Sequence, residues 1–212
     1  MQSSRSNHFS GIYAITDDTL LPGSKLIDAC RVALDSGIAL LQYRSKSGDD
    51  EQRQEDASRL SILCKRYNIP LLINDDVALC LAASADGVHL GKEDASVRSA
   101  RERLGENAII GVTCHSSLED ALIAEAEGAD YVAFGRFFPS HTKPGAAAAA
   151  LTVLSEARRR LRIPIVAIGG INAQNGASVI EAGADMLAVI HSLFGHADVA
   201  LQVRELNALF EK

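Results

Sequence analysis

Charged residues stand directly after several short apolar runs of this sequence. Arg44 and Lys46 follow one run, Asp75 follows the next, and Asp94 comes four residues after a third. Carboxylates hold Mg²⁺, and the metal and neighbouring cations together share the oxygens of a phosphate group. Mg²⁺ is usually bound by only one or two carboxylates in addition to substrate phosphates. Asp75 and Asp94 therefore predict a site for one Mg²⁺ per subunit beside a bound polyphosphate.

The run that ends near Arg44 has polar side chains where a buried strand should have apolar ones. Alternation along a strand puts Gln42, Arg44 and Lys46 on one side and Tyr43 and Ser45 on the other. Inward-facing polar groups are costly to bury unless a ligand satisfies them. A bound ligand is therefore expected on that side, although Arg44 and Lys46 could instead pair with nearby acidic residues.

Asp75 and Asp76 precede a helical pattern, so either residue could cap that helix instead of binding a metal, because Asp is a favoured N-cap residue. We favour capping for Asp76. We favour metal binding for Asp75, since Asn74 and Asp94 place further polar groups at the same edge.

The elements that must position these residues follow from eight short apolar runs that alternate with longer amphipathic stretches, a pattern typical of βα units and a parallel sheet. The runs are 11–16, 40–44, 71–74, 87–90, 109–113, 131–135, 164–168 and 186–190. Helical stretches include 49–67, 117–127, 174–182 and 198–210. Eight units in this length predict an α/β protein with a single (β/α)₈ TIM barrel over residues 11–212, after a disordered lead of residues 1–10.

A doubly wound open sheet is the alternative fold. It usually carries G-x-G-x-x-G after the first strand, whereas this chain has Thr16-Asp17-Asp18 there. The barrel is therefore favoured, and the active site of such a barrel lies at the carboxyl ends of its strands.

A second phosphate site is expected after the seventh and eighth runs, where such barrels often bind phosphate. Gly169 and Gly170 allow backbone N–H groups to approach an anion, and His191 and Ser192 add further amides. The alternative is that Gly169 and Gly170 only form a tight turn.

The segment 139–150 is long for a βα loop, where roughly two to six residues are typical. It carries Ser140, Thr142 and Lys143, and we interpret it as a mobile lid that delivers a cation and hydroxyl groups on closure. His141 lies among them and could be a base, although a position facing solvent is the interpretation we favour for its ring.

Composition indicates an ordinary soluble globular protein, with 47% hydrophobic and 23% charged residues. The net charge of −6 argues against nucleic acid as a partner, which usually selects a basic face. No apolar run approaches the roughly 18 residues that cross a bilayer, and the first residues lack a signal-peptide core, so a cytoplasmic protein without a membrane partner is expected. Oligomeric state stays open, with a homo-oligomer possible. The cysteines form no C-x-x-C pair, and we expect Cys30, Cys64 and Cys80 to be core residues.

Five segments in order resemble the motif set of the thiamine-phosphate synthase family, and the resemblance extends from Gly11 to about Gly195. Each segment alone is a weak signal, but all five in order, each at a strand end, form a strong one. They are Gln42-Tyr43-Arg44-Ser45-Lys46, Ile73-Asn74-Asp75-Asp76, Gly87-Val88-His89-Leu90-Gly91 with Asp94, Phe138-Pro139-Ser140-His141-Thr142-Lys143-Pro144, and Ala167-Ile168-Gly169-Gly170-Ile171.

The resemblance implies a transferase that couples 4-amino-2-methyl-5-hydroxymethylpyrimidine diphosphate to 4-methyl-5-hydroxyethylthiazole phosphate, giving thiamine phosphate and pyrophosphate. It implies that Asp75 and Asp94 bind Mg²⁺. The pyrimidine diphosphate would be bound by Gln42, Tyr43, Arg44, Ser45, Lys46, Asn74, Thr113 and Lys143. The thiazole phosphate would be bound by Ser140, Thr142, Gly170, Ile190 and His191, and we include His141 in this set.

Three positions depart from the family pattern. Thr113 and Ser140 keep the hydroxyl that many members carry there, but His191 stands where many members have Ser. A backbone contact would survive that change and a side-chain hydroxyl contact would not.

A dissociative substitution is expected, because the diphosphate becomes a good leaving group once Mg²⁺, Arg44, Lys46 and Lys143 neutralise its charge. We therefore predict Arg44, Lys46 and Lys143 as the catalytic residues, acting by positioning and electrostatic stabilisation. An alternative is an isomerase such as a thiazole tautomerase on the same barrel, which would not need Asp75, Asp94 or Lys143. Another is a phosphate-binding barrel that acts as a sensor.

Overall fold

Strands and helices alternate along the chain in the computed structural model, which describes residues 9–91, 94–139 and 149–211. Eight parallel strands form a closed barrel in sequence order, with β1 paired to β8. The strands are β1 Gly11–Ile15, β2 Leu40–Tyr43, β3 Leu71–Asn74, β4 Gly87–Leu90, β5 Ile109–His115, β6 Tyr131–Gly135, β7 Ile165–Ile168 and β8 Met186–Val189. The predicted (β/α)₈ barrel is confirmed.

Helices surround the barrel. They are α1 Lys25–Asp35, α2 Asp50–Tyr67, α3 Val77–Ala82, α4 Val97–Leu104, α5 Leu118–Ala126, α6 Thr152–Arg160, α7 Gly176–Glu181, α8 His191–Phe194 and α9 Val199–Asn207. Most of them begin after short side chains that accept a hydrogen bond from the first turn, which satisfies a backbone N–H without a partner within the helix. These caps are Asp49, Asp76, Ser96, Ser117 and Asp198.

The boundaries differ from the expected ones where local irregularity intervenes. β5 continues to His115 instead of ending at Thr113, and its pairing with β6 shifts register between these two residues. The last helix ends at Asn207, before the expected residue 210, and α8 is a short helix that the sequence pattern did not indicate.

Two apolar layers hold the barrel. The inner layer, inside the ring of strands, includes Tyr13, Leu72, Tyr131 and Val166. The outer layer lies between strands and helices and contains Cys30, Cys64, Cys80 and Cys114, all of them buried free thiols. The expected core positions of the first three cysteines are confirmed.

Aspartates at the amino ends of three even-numbered strands tie neighbouring strands together. The carboxylate of Asp86 accepts the N–H of Leu71 at 2.8 Å, and the carboxylates of Asp130 and Asp185 accept the N–H groups of Ile110 and Ile165, each also at 2.8 Å. An aspartate before a strand could instead hold its own tight turn through its backbone. Here the side chains bind the backbone of the preceding strand. They lie at the end of the barrel opposite the strand ends that carry the predicted site.

Phe9 is buried at the same lower end, where its ring lies 5.7 Å from the ring of Tyr131. Residues 1–8 of the predicted disordered lead lie outside the described residues, so the domain boundary stays a prediction. In the described part of the chain no helix is both long and apolar enough to cross a membrane.

Candidate active site

A cavity of about 750 Å³ opens at the carboxyl ends of the strands, where the barrel fold places an active site. Most of the predicted site residues that the structure describes line it. They are Gln42, Arg44, Asn74, Thr113, Gly170, Ile190 and His191. Tyr43 and Ser45 line a separate recess of about 230 Å³ beside α1 and α2. The predicted alternation is therefore observed for Gln42 and Arg44, which face the main cavity, whereas Tyr43 and Ser45 do not. Lys46, predicted on the same side as Arg44, lines neither space.

Arg44 is fixed at the cavity edge by residues that follow β1. The hydroxyl of Thr16 accepts the N–H of Arg44 at 2.9 Å and donates to the carbonyl oxygen of Arg44 at 3.2 Å. The guanidinium lies 3.6 Å from the carboxylate of Asp17, and both side chains are mostly buried. Arg44 therefore has one local acidic partner and still faces the cavity.

Asp18 shapes the loop that carries Lys46. Its carboxylate accepts the backbone N–H groups of Lys46 at 2.6 Å and Ser47 at 2.9 Å. Burial alone would raise the pKa of Asp18, but these donors stabilise the ionised form and bring the pKa below its ordinary value. The side chain of Lys46 itself is exposed, near enough to Asp75 to lower the pKa of that carboxyl.

Asp75 and Asp94 come together at the rim next to β3 and β4. Asp75 has a φ of 63°, its N–H donates to the carbonyl oxygen of His89 at 2.8 Å, and its carboxylate accepts from the amide of Asn74 at 2.6 Å. Asp94 accepts the N–H of Gly91 at 2.7 Å. Partial burial and then the Asp94 carboxylate, which lies within hydrogen-bonding reach, raise the pKa of Asp75 to about 6.

These two carboxylates fit a hard divalent cation. Their mutual repulsion would be relieved by bound positive charge, and Mg²⁺ requires only one or two carboxylates when substrate phosphates complete its coordination. The described residues contain no cluster of three or more His, Cys, Asp or Glu side chains that could hold a metal. The Asp75 and Asp94 carboxylates suit an ion whose coordination a substrate phosphate completes.

Asp76, next along the chain, has a different role. Its carboxylate accepts the N–H of Leu79 at 2.9 Å as the cap of α3, and it forms an ion pair with Arg53 at 3.0 Å. The interpretation of Asp76 as a helix cap is confirmed.

Gly170, Ile190 and His191 form the opposite side of the cavity. Gly170 has a φ of 67°, and a Cβ placed there would lie 2.3 Å from the carbonyl oxygen of Pro139. Glycine is therefore required by the adjoining loop after β6, independently of any anion. Ile190 precedes the first turn of α8, where N–H groups lack partners within the helix. The exposed ring of His191 lies beside His196, with 6.3 Å between the ring centroids.

Comparisons with known proteins decide the family. The model of the family described as thiamine monophosphate synthase matches residues 12–193. The chain belongs to this family. A thiamine-phosphate synthase of Methylococcus capsulatus is 54% identical over 200 residues, which cover 94% of this chain and 89% of the relative. One of Thiobacillus denitrificans is 50% identical over 201 residues, covering 94% of each chain.

A solved structure of thiamine phosphate pyrophosphorylase from Pyrococcus furiosus has a TM-score of 0.87 and 36% identity, covering 97% of this chain and 96% of that one. Membership in the thiamine monophosphate synthase family confirms the predicted transferase of thiamine biosynthesis. The comparisons give no support to the tautomerase alternative.

The remaining predicted residues of this family member, Ser140, His141, Thr142 and Lys143, lie outside the described residues. The described residues on either side of them meet at the cavity. The N–H of Ala149 donates to the carbonyl oxygen of Arg136 at 2.7 Å, and Arg136 and Pro139 both line the cavity.

Several cavity residues of this thiamine-phosphate synthase relative were missed by the sequence analysis. Tyr13, His89, His115 and Arg136 all line the cavity. Tyr13 lies within the apolar run of β1 and resembles a core aromatic residue. His89 could have been noticed, because a histidine flanked by Val88 and Leu90 in a buried strand must direct its polar ring to the barrel interior.

Proposed function

We propose that this chain joins 4-amino-2-methyl-5-hydroxymethylpyrimidine diphosphate to 4-methyl-5-hydroxyethylthiazole phosphate, with release of pyrophosphate. The observation that carries the proposal is one cavity with two sides suited to different anions. Arg44 and Asn74 line one side, beside the rim carboxylates Asp75 and Asp94. Gly170 and Ile190 line the other side.

On the first side, the diphosphate would lie against Arg44 and Lys46. Arg44 is the better placed of the two to act on the leaving group, because its backbone is held by Thr16 and its guanidinium is partly desolvated. A charge in a partly buried site interacts more strongly with an anion than one in water. Lys46 and the predicted Lys143 would add charge from the surrounding loops.

Asp75 and Asp94 would hold one Mg²⁺ at the rim. When bound, Mg²⁺ supplies positive charge that neutralises the diphosphate and makes it a better leaving group. The backbone N–H bonds of Asp75 to His89 and of Gly91 to Asp94 keep the two carboxylates in place before the substrate arrives.

On the second side, the thiazole phosphate would be bound mainly by main-chain N–H groups near Gly170, Ile190 and His191. Amides at the start of a helix are suitable donors for a phosphate group. Ser140, Thr142 and His141 are proposed to complete this side from the adjoining segment.

The reaction follows from this arrangement without a protein nucleophile. The bond between the pyrimidine methylene carbon and the diphosphate oxygen breaks, and the electron pair leaves with the diphosphate. The electron-rich aminopyrimidine stabilises the positive methylene carbon, and the thiazole nitrogen donates its lone pair to form the new carbon–nitrogen bond. The protein contributes positioning of both substrates and electrostatic stabilisation of the leaving group.

The purified chain incubated with both substrates and Mg²⁺ should release pyrophosphate and form thiamine phosphate in equal amounts. Pyrophosphate release that does not depend on the thiazole phosphate would identify a hydrolase, and the absence of any release would contradict the proposal. We further propose that the enzyme is cytoplasmic, acts on these small molecules without nucleic acid or membrane partners, and can form a homo-oligomer.

A further inference from the structure

A chain of hydrogen bonds crosses the barrel interior at the floor of the cavity. The amide nitrogen Nε2 of Gln42 donates to Oη of Tyr13 at 2.5 Å, and the hydroxyl oxygens of Tyr13 and Tyr131 are 2.8 Å apart. Oη of Tyr131 lies 2.8 Å from Nδ1 of His89, and Nε2 of His89 lies 2.7 Å from Oγ1 of Thr113. The chain therefore connects β2 to β5 through residues of β1, β6 and β4.

The middle of this chain is shielded from water. Tyr13 is 1% exposed and Tyr131 is 0% exposed, and each packs edge to face against the other with 5.9 Å between ring centroids. Burial raises the pKa of both phenols well above the ordinary value, so both hydroxyls keep their protons. Gln42, His89 and Thr113 line the cavity, so the ends of the chain meet the ligand space.

The donor at one end sets the direction of every other bond. Because Nε2 of Gln42 donates to Tyr13, the single proton of Tyr13 is available for Tyr131, and the proton of Tyr131 is then directed to Nδ1 of His89. In this direction His89 would carry its proton on Nε2 and donate to Thr113. The hydroxyl proton of Thr113 is left to donate into the cavity, while the carbonyl oxygen Oε1 of Gln42 is left to accept.

We propose that Tyr13, Tyr131 and His89 are positioning residues that fix Gln42 as a hydrogen-bond acceptor and Thr113 as a donor toward the pyrimidine diphosphate. The inference rests on the proposed function, because it names how one of the proposed substrates is oriented. The exocyclic amino group of the aminopyrimidine is a donor and matches Oε1 of Gln42. The ring nitrogens and the diphosphate are acceptors and match the hydroxyl of Thr113.

The orientation of the Gln42 amide also bears on the rate. An acceptor at the amino group strengthens electron donation from its nitrogen into the ring, and that donation stabilises the positive methylene carbon formed when the diphosphate leaves. An inverted amide would place two donors face to face, which is repulsive. Tyr13 therefore acts on the reaction through Gln42, without contact with the reacting carbon.

The test is a set of single hydroxyl deletions, Tyr131→Phe and Tyr13→Phe, with both substrates varied in the pyrophosphate-release assay. Loss of a hydrogen bond in the chain should lower kcat/KM for the pyrimidine diphosphate by about tenfold or more. KM for the thiazole phosphate should stay within about twofold of the parent value, because the substitutions leave the hydrogen bonds to that substrate unchanged. Tyr67→Phe is the matched control, because its hydroxyl bonds to Asp35 on the outside of the barrel.

A double variant separates positioning from packing. If Tyr131 acts through the ordered chain, adding Tyr131→Phe to Gln42→Leu should cause less additional loss than Tyr131→Phe causes alone, because interacting residues are non-additive. A rise in KM for the thiazole phosphate as large as the rise in KM for the pyrimidine diphosphate, or independent losses in the double variant, would overturn the proposal. If Tyr131→Phe does not fold, Tyr13→Phe gives the same comparison at the Gln42 end.

Calorimetric binding of the pyrimidine diphosphate alone, with Mg²⁺, distinguishes this inference from the proposed function. Weaker binding by the Phe variants supports the positioning role of the hydrogen-bonded residues even if the parent protein releases no pyrophosphate. The absence of pyrophosphate release would refute only the proposed reaction. Unchanged binding and unchanged kcat/KM in both Phe variants would refute the positioning role while the synthase activity stands.

Discussion

The ring of Tyr131 occupies the space in which a side chain at Gly111 would stand. The two residues are register partners on β6 and β5, and a Cβ on Gly111 would lie 1.9 Å from Cζ of Tyr131. Gly111→Ala should therefore displace the ring and destabilise the fold by about 1–3 kcal/mol, the usual cost of overpacking a core. Denaturant unfolding measures this loss. Combining Gly111→Ala with Tyr131→Ala should cost less than the sum of the two, and strict additivity would contradict the contact.

Thr16→Val should weaken both stability and catalysis. The hydroxyl of Thr16 satisfies the backbone N–H and carbonyl group of Arg44, and Thr16 is 1% exposed, so water has little access to replace it. We expect a loss of about 1–3 kcal/mol in unfolding free energy, together with a raised KM for the pyrimidine diphosphate. Thr16→Ser keeps the hydroxyl and should behave nearly as the parent. A Val variant with the parent's stability would show that Arg44 is held by other contacts.

Asp18 should make the loop after β2 sensitive to acid. Its pKa is lowered in the folded protein, so its ionised form stabilises the fold above the ordinary pKa near 4, and this contribution is lost as the pH falls through the lowered value. Asp18→Asn imitates the protonated form. The variant should be less stable than the parent at pH 7, and the difference should disappear as the pH falls through the lowered pKa of Asp18. Thermal unfolding across this range is the measurement, and a gap that widens in acid would have the wrong sign.

Asp94→Asn should raise the Mg²⁺ concentration needed for activity. The substitution keeps an oxygen that can accept the N–H of Gly91 but removes one of the two charges facing the metal. The Mg²⁺ concentration at half-maximal rate should rise by about tenfold, which corresponds to roughly 1.4 kcal/mol of binding free energy. Asp76→Asn is the control, because Asp76 caps α3. Its substitution should lower stability and leave the Mg²⁺ concentration at half-maximal rate unchanged.

His191→Ser should have little effect on the thiazole phosphate. The His191 ring is exposed beside His196, so main-chain donors are the expected phosphate ligands. The change in KM should be below about fivefold, corresponding to less than one ordinary hydrogen bond. A larger loss would instead identify the His191 ring as a phosphate ligand. Gly170→Val is not a clean test of this pocket, because the new side chain would meet the Pro139 carbonyl.

Much of this structure could be predicted from the sequence, because the information is local. The eight apolar runs mark the strands, and a polar residue directly after a run, such as Arg44 or Asp75, must lie at the rim of a parallel barrel. The series of hydrogen bonds from Gln42 to Thr113 inside the barrel could not be predicted in the same way. It joins Tyr13 to Tyr131 across 118 residues, and their contact depends on the stagger of strands that are not neighbours. Tyr43 shows the limit at a finer scale, since motif resemblance placed it with the ligand and strand alternation turned it outward.

The aspartate carboxylates at the amino ends of the strands link the strands of the barrel in pairs. Each carboxylate joins an odd-numbered strand to the even-numbered strand that follows it. Asp86 links β3 to β4, Asp130 links β5 to β6, and Asp185 links β7 to β8. A chain divided between α4 and β5 would keep every such tie within one half. The two halves would meet through the β4–β5 and β8–β1 ladders. At the β4–β5 boundary they would also be joined by the ion pair of Arg101 with Asp130 at 2.7 Å. Three of the four consecutive strand pairs of the barrel are thus linked by a carboxylate at the amino end of the even-numbered strand.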